Sequence, residues 1–298
     1  MRNKKNVKIL VCCHKQDVMA SQEPYMPIHV GKALHPELDL GIQGDNTGEN
    51  ISDKNGSYCE LTGMYWAWKN LKDVDIIGLC HYRRYFDFHG QAKFYKHSQR
   101  FVTDDFQNLD LSIPDKIIES VSNGSVVVAK PKHYGTSVAA DYCIEHISDD
   151  FRILQSVIYK TQPEYIKNAF FKVFHQSNKV MHYNMCIMNW KDFDSYCSWM
   201  FDILRQVENL TDISHYNPIQ KRIYGYMSER LFIVWLVAEK KRLIQKPVLF
   251  INDNQPEYPD RNLIKSLLWN IRSDLAMRLV AQRVKRARGQ VPEPSIYN

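Results

Sequence analysis

The feature that most constrains this chain is an alternation along its length. Short apolar, β-branched runs give way repeatedly to stretches with helical periodicity. Val7 to Cys13, Ile76 to Cys80, Val126 to Ala129, Met185 to Met188 and Val248 to Ile251 read as strands. Between them, Ser57 followed by Glu60 spells a capping box opening a helix from Tyr58 to Leu71. Asp192 is placed to cap a second helix, whose Phe193, Tyr196, Cys197, Met200, Phe201, Leu204 and Val207 recur at steps of three and four. A third helix is expected from near Ser228, carrying Leu231, Phe232, Trp235 and Leu236. Such alternation predicts an α/β sandwich around a largely parallel sheet, with ligands bound beyond the carboxyl ends of the strands.

Composition narrows the function classes. With 44% hydrophobic and 24% charged residues, disorder and low-complexity scaffolds are excluded. The net charge of +6 is too small for a general nucleic-acid binder, and no nucleic-acid-binding motif is present. The excess is local: Lys265, Arg272, Arg278, Arg283, Lys285, Arg286 and Arg288 are opposed only by Asp274. Seven cysteines without CxxC spacing read as free thiols in a reducing compartment, and a zinc site is not expected. Met1 to Lys5 runs straight into a strand with no signal-peptide core, and the apolar stretch Leu231 to Ala238 is far too short to span a bilayer. A cytoplasmic protein, peripheral on the inner face of the bacterial plasma membrane, is the expectation.

The strand ends carry the chemistry. His14 and Lys15 follow the first strand; His81, Tyr82, Arg83 and Arg84 follow the second; Lys130, Lys132, His133 and Tyr134 follow the third. Arginine forks match phosphate oxygens, and tyrosines can stack on a base or sugar, so this mouth suits a nucleoside diphosphate. The alternative is a set of solvated loops with surface ion pairs. No P-loop, GxGxxG, HExxH or GxSxG occurs. Asp73-Val74-Asp75 spells DxD but precedes its strand, which places it at the wrong end of the sheet, and Asp192-Phe193-Asp194 reads as helix capping.

Several segments resemble one family: Gly44 to Asn46, Asn50 to Asn55, Tyr58 to Asn70, Gly78 to Phe86, Tyr183 to Ile187 and Arg222 to Leu231. They are similar to the bacterial capsular and exopolysaccharide glycosyltransferases long known only as a domain of unknown function, with likeness from about residue 5 to residue 250. The resemblance implies a GT-A-like, single Rossmann-type nucleotide-sugar domain. It also implies a galactofuranosyl donor, UDP-galactofuranose, and a lipid-linked capsule, O-antigen or exopolysaccharide acceptor. Where GT-A enzymes place a metal-binding DxD, this chain has His81, Tyr82, Arg83 and Arg84, with no carboxylate until Asp87. Arginine in place of hard oxygen ligands implies metal-independent transfer, with magnesium or manganese not excluded. Inversion is the expected outcome, with a carboxylate base if the enzyme inverts and none needed if it retains. Glu229, expected in the first turn of its helix, is implied as general base, with Arg83 and Arg84 stabilising the leaving diphosphate. Substrate contacts are implied at His14, Asp45, Asn50, Lys54, Asn55, His81, Tyr82, Lys132, His133, Asn184 and Arg222. Asn184 could bond sugar hydroxyls or be satisfied by backbone. Glu60 reads first as a helix cap.

Residues 1–255 are expected to form the catalytic domain and residues 256–298 a basic amphipathic helical tail. In the tail Leu263, Leu267, Leu268, Ile271, Leu275, Leu279 and Val280 recur at helical spacing beside Trp269. Such a helix can lie on an anionic membrane surface or pack on the domain. The rival to an enzyme is a non-catalytic glycan-binding or scaffold subunit of a polysaccharide assembly complex.

Overall fold

The computed structural model describes residues 5–253 and 262–288, so the boundary expected at residue 255 lies outside the described residues. The amino-terminal half comprises β1 (Val7–Cys13), β2 (Tyr25–His29), β3 (Gln43–Gly44), α1 (Asn55–Tyr58), α2 (Leu61–Asn70), β4 (Ile76–His81), β5 (Arg84–Phe86), β6 (Ser98–Phe101), α3 (Asp115–Ser122) and β7 (Ser125–Ala129). A strap, β8 (Lys132–His133), leads to helices α4 (Val138–Glu145), α5 (Ser148–Thr161) and α6 (Glu164–Gln176). Then come β9 (Lys179–Val180), β10 (Cys186–Asn189), α7 (Trp190–Glu208), α8 (Ile223–Ala238), β11 (Arg242–Lys246), β12 (Val248–Ile251) and α9 (Leu263–Arg288).

The main sheet runs β11-β7-β10-β4-β1-β2-β3. Its neighbours are parallel except β10, which lies antiparallel between β7 and β4. The expected α/β fold with a mostly parallel sheet and a carboxyl-terminal helix is the one observed. Period-two alternation sends Leu10, Cys12 and Leu79 into a core with α2 and α4 to α8, and Ile9, Val11 and Cys80 into a second core under α3 and β12. Both faces are covered, which is why the central strands read as unbroken apolar runs. No helix among the described residues is long and apolar enough to cross a membrane.

Three local expectations change. The run from Tyr58 is not one helix: Cys59 takes a left-handed φ of 53° and separates α1 from α2. Glu60 stands at the head of α2 but makes no capping bond with its side chain, so the capping box does not form. The helix expected to begin at an Asp192 cap is capped by Asn189, whose side chain accepts from the Asp192 amide.

Gly78 lies on β4 at the centre of the sheet. A Cβ there would come within 2.6 Å of Ile9 Cδ1, 2.9 Å of Ile187 Cγ1 and 3.0 Å of the Cys186 carbonyl. Gly78→Ala is expected to destabilise the chain by about 1–3 kcal/mol. Urea denaturation checks this as a lower midpoint at unchanged slope.

Candidate active site

The antiparallel β10 decides what stands at the carboxyl edge of the sheet. Because Cys186 pairs with Leu79, the residues just before β10 come up beside the end of β4. His81 Nε2 donates to the Tyr183 carbonyl at 2.7 Å. Tyr183 and Asn184 have left-handed φ angles of 78° and 52°. With Cys59 they make three such non-glycine residues meeting at one place, each costing about 1–3 kcal/mol. The turn is held by buried polar contacts. The Tyr183 amide donates to Glu229 Oε1 at 2.7 Å, and Asn184 Nδ2 donates to Glu60 Oε1 at 2.8 Å. Asn184 Oδ1 faces the Ser228 hydroxyl at 3.0 Å. The carboxylate read as a cap is instead aimed across the site from the Cys59 turn.

Glu229 differs from its expected placement. Its helix begins at Ile223, so Glu229 lies in the second turn. Its carboxylate takes the Tyr183 amide, Arg230 Nη1 at 3.1 Å and His182 Nδ1 at 3.4 Å. Burial pushes its pKa up, but His182, Arg230 and the Tyr183 amide more than offset this, leaving it at about 2. A carboxylate held so acidic has little affinity for a proton from a substrate hydroxyl. The geometry makes Glu229 the pillar under the Tyr183–Asn184 turn. Arg230 extends the pillar to Asp141 at 3.5 Å.

Cations surround this centre. Burial pushes the His14 imidazole below its ordinary value, and the charges of Lys15 and Arg222 push it further. His14 meets the Tyr82 ring edge-on at 5.5 Å. Burial also lowers the His81 pKa; Arg84 adds to that shift, and Glu60 and Glu229 oppose it. Arg222 Nε lies 3.3 Å from Cys59 Sγ. Burial and Glu60 push that thiol up to about 12, so it stays protonated and is no nucleophile. Arg83 and Arg84, successive residues, diverge. Arg83 is gripped by Asp17 at 2.6 and 3.0 Å. Arg84 lies over the Tyr183 and Phe250 rings at 4.5 and 5.0 Å, and its buried Nε has no hydrogen-bond partner among the described residues.

Other expected contact residues have partners within the chain. Asp45 is fully buried and accepts from the Gly31 amide at 2.9 Å, the Lys32 amide at 3.1 Å and the Ser52 hydroxyl. Asn50 closes its own turn through Gly48 and Ser52. Asn55 donates to the Cys59 carbonyl at 2.7 Å and to Thr62 at 3.0 Å. Lys54 pairs with Glu208 at 2.8 Å. Lys132 lies over the Tyr134 ring, and His133 Nδ1 meets Asp274 Oδ1 at 2.9 Å. As expected, the DxD is remote: Asp75 binds Lys5 and the Asn6 amide, both at 2.9 Å, beside the amino end of β4. Residues the sequence reading did not single out are Cys59, His182 and Ser228, together with Tyr226, whose ring stacks on His146 at 4.1 Å. Cys59, Tyr226 and Ser228 fall within the resembling segments Tyr58 to Asn70 and Arg222 to Leu231, but only the topology brings them together with His182.

A family model described as a domain of unknown function, DUF4422, matches residues 8–241. The chain belongs to this family. Among solved structures it is similar to the apo structure of WbbM, a bifunctional glycosyltransferase, at 26% identity and a TM-score of 0.74. The match covers 85% of this chain and 48% of that one, so the chain spans about half the length of WbbM. No curated protein matches.

Because the Glu229 carboxyl is held at about 2 against an ordinary 4.5, its stabilising contribution is complete above 4.5 and fades as pH falls toward 2. Glu229→Gln is expected to destabilise the chain at neutral pH by about 3 kcal/mol, since it removes the charge that Arg230 and His182 face and leaves Arg230 with Asp141 alone. In urea titrations at several pH values, the gap between variant and wild type should shrink between pH 4.5 and 2.

Proposed function

We propose that the chain is a glycosyltransferase. In this reading it moves a hexosyl unit, galactofuranosyl from UDP-galactofuranose, to a lipid-linked capsule, O-antigen or exopolysaccharide intermediate. Similarity to a glycosyltransferase supports the general activity, and the sequence resemblance supports the donor and acceptor. The observation that carries the reading is the meeting of the Glu60 carboxylate, the strained Tyr183–Asn184 turn, His81 and Arg84 at the carboxyl edge of the sheet.

The chemistry needs one proton acceptor and a place for negative charge. As the acceptor oxygen attacks the anomeric carbon, the new glycosidic bond forms, the bond to the diphosphate breaks and the hydroxyl proton leaves. Glu60 takes that proton in this reading, oriented by the Asn184 amide, while Glu229 positions the turn. The diphosphate carries away the bonding pair, and Arg84 with Arg222 stabilises the added charge. Arg83 contributes less, being already paired with Asp17. Metal independence is supported by where the carboxylates go. Asp87, first after β4, accepts from the amides of His89, Gln91 and Ala92 at 3.0, 3.1 and 2.7 Å.

A melting experiment tests the donor. UDP at a hundredfold excess over its Kd should stabilise the protein by about 2.7 kcal/mol, and the shift should survive EDTA. Arg84→Ala should weaken UDP binding by about tenfold or more, with Arg83→Ala having the smaller effect. Abolition of the shift by chelator would sink metal independence.

Turnover tests the base. Glu60→Gln should lower kcat by about 10²–10⁴-fold while UDP affinity stays near wild type. Unchanged turnover would return the role to Glu229 or to a mechanism without such a base.

A further inference from the structure

Helix α9 has two opposite sides with different fates. One side docks on the strap that follows the carboxyl end of β7. Asp274 binds His133 at 2.9 Å and Lys179 at 3.0 Å, and Trp269 Nε1 donates to the His133 carbonyl at 3.1 Å. Ser273 and Met277 are buried along the same side. Ile264, Leu267, Leu268, Ile271, Leu275 and Leu279, at steps of three and four on the other side, are 46% to 67% exposed. The apolar stripe is therefore not what packs on the domain.

The charges beside the stripe have one sign. Lys265, Arg272, Arg278 and Arg283 are exposed, and the helix's one acidic residue, Asp274, is turned inward against His133 and Lys179. From Ile264 to Leu279 the stripe is about 22 Å long at 1.5 Å per residue. A continuous apolar strip rimmed only by cations matches the boundary between acyl chains and anionic headgroups. We propose that α9 is an interfacial helix that binds the anionic surface of a lipid bilayer through this stripe, while its opposite side fixes it to the rim of the candidate active site. The binding stands apart from the identity of any sugar donor.

Sedimentation of the full chain with vesicles tests this. The protein should pellet with phosphatidylcholine vesicles containing phosphatidylglycerol, weakly with phosphatidylcholine alone, and progressively less as salt rises. Leu268→Glu combined with Ile271→Glu should weaken binding by about a hundredfold and leave the thermal midpoint unchanged, because both side chains are exposed. Lys265→Glu combined with Arg272→Glu should reduce the preference for phosphatidylglycerol. Three results would overturn the proposal. The wild type could stay in the supernatant at low salt. The stripe variant could melt earlier, which would mean that protein covers the stripe. Without lipid, the wild type could be a dimer that the stripe variant converts to monomer, which would make the stripe an interface between copies.

Discussion

The structure depends on an ionised carboxylate taken out of water. Glu229, with its side chain 13% exposed, sits between Arg230 and His182 and receives the Tyr183 amide. A buried ion pair is weak evidence for net stability, because desolvation can exceed the attraction regained. Its value here is positional. Tyr183 and Asn184 hold backbone angles that L-residues avoid, and such angles persist only where the surroundings over-determine them. Remove the acceptor and the Tyr183 amide is buried without a partner. Asn184 then loses the frame that aims its amide at Glu60.

The antiparallel strand follows the same logic. In an all-parallel sheet, the segment entering β10 would lie at the amino edge, away from the β4 end. Reversing one strand puts its entry turn beside His81, so a strained turn can meet a strand end at the ligand edge. The helix carrying Glu229 passes Cys59 at Gly225, where a Cβ would lie 3.1 Å from the cysteine sulfur. That approach brings the two carboxylates to opposite sides of one asparagine turn, with one ion-paired and one aimed into the site. Different environments give chemically similar groups different work.

Much of the sheet was legible because fully covered strands are continuous apolar runs. β1 and β12 match their expected bounds, and β4 and β7 are each one residue longer than expected. The unread strands are those with weak patterns: β2 contains Pro27, and β11 is a polar edge strand containing Arg242, Gln245 and Lys246. The placement of His81 and Arg84 beside the end of β4 was legible because both follow its apolar run. The site was obscured where one pattern fits two structures. Ser57-x-x-Glu60 has capping-box spacing, yet Cys59 reverses the chain between them and frees the carboxylate. Asp45, Asn50 and Asn55 look like ligand contacts in a polar loop, but short polar side chains readily satisfy nearby backbone instead.

Donor counting orders the last part of the site. Burial pushes the Tyr134 hydroxyl well above its ordinary pKa, so it keeps its proton. It lies 2.7 Å from His182 Nε2, while His182 Nδ1 faces an ionised carboxylate that can only accept. His182 must therefore carry its proton on Nδ1 toward Glu229, and in its neutral form it accepts from Tyr134 through Nε2. This tautomer is assigned from the partners. Tyr134 belongs to the strap on which α9 docks, next to the His133 that binds Asp274 and Trp269. Covalent chain and hydrogen bonds thus run from the docked side of α9 through Tyr134 and His182 to the carboxylate under the strained turn. The helix with the outward apolar stripe is built onto the frame of the site.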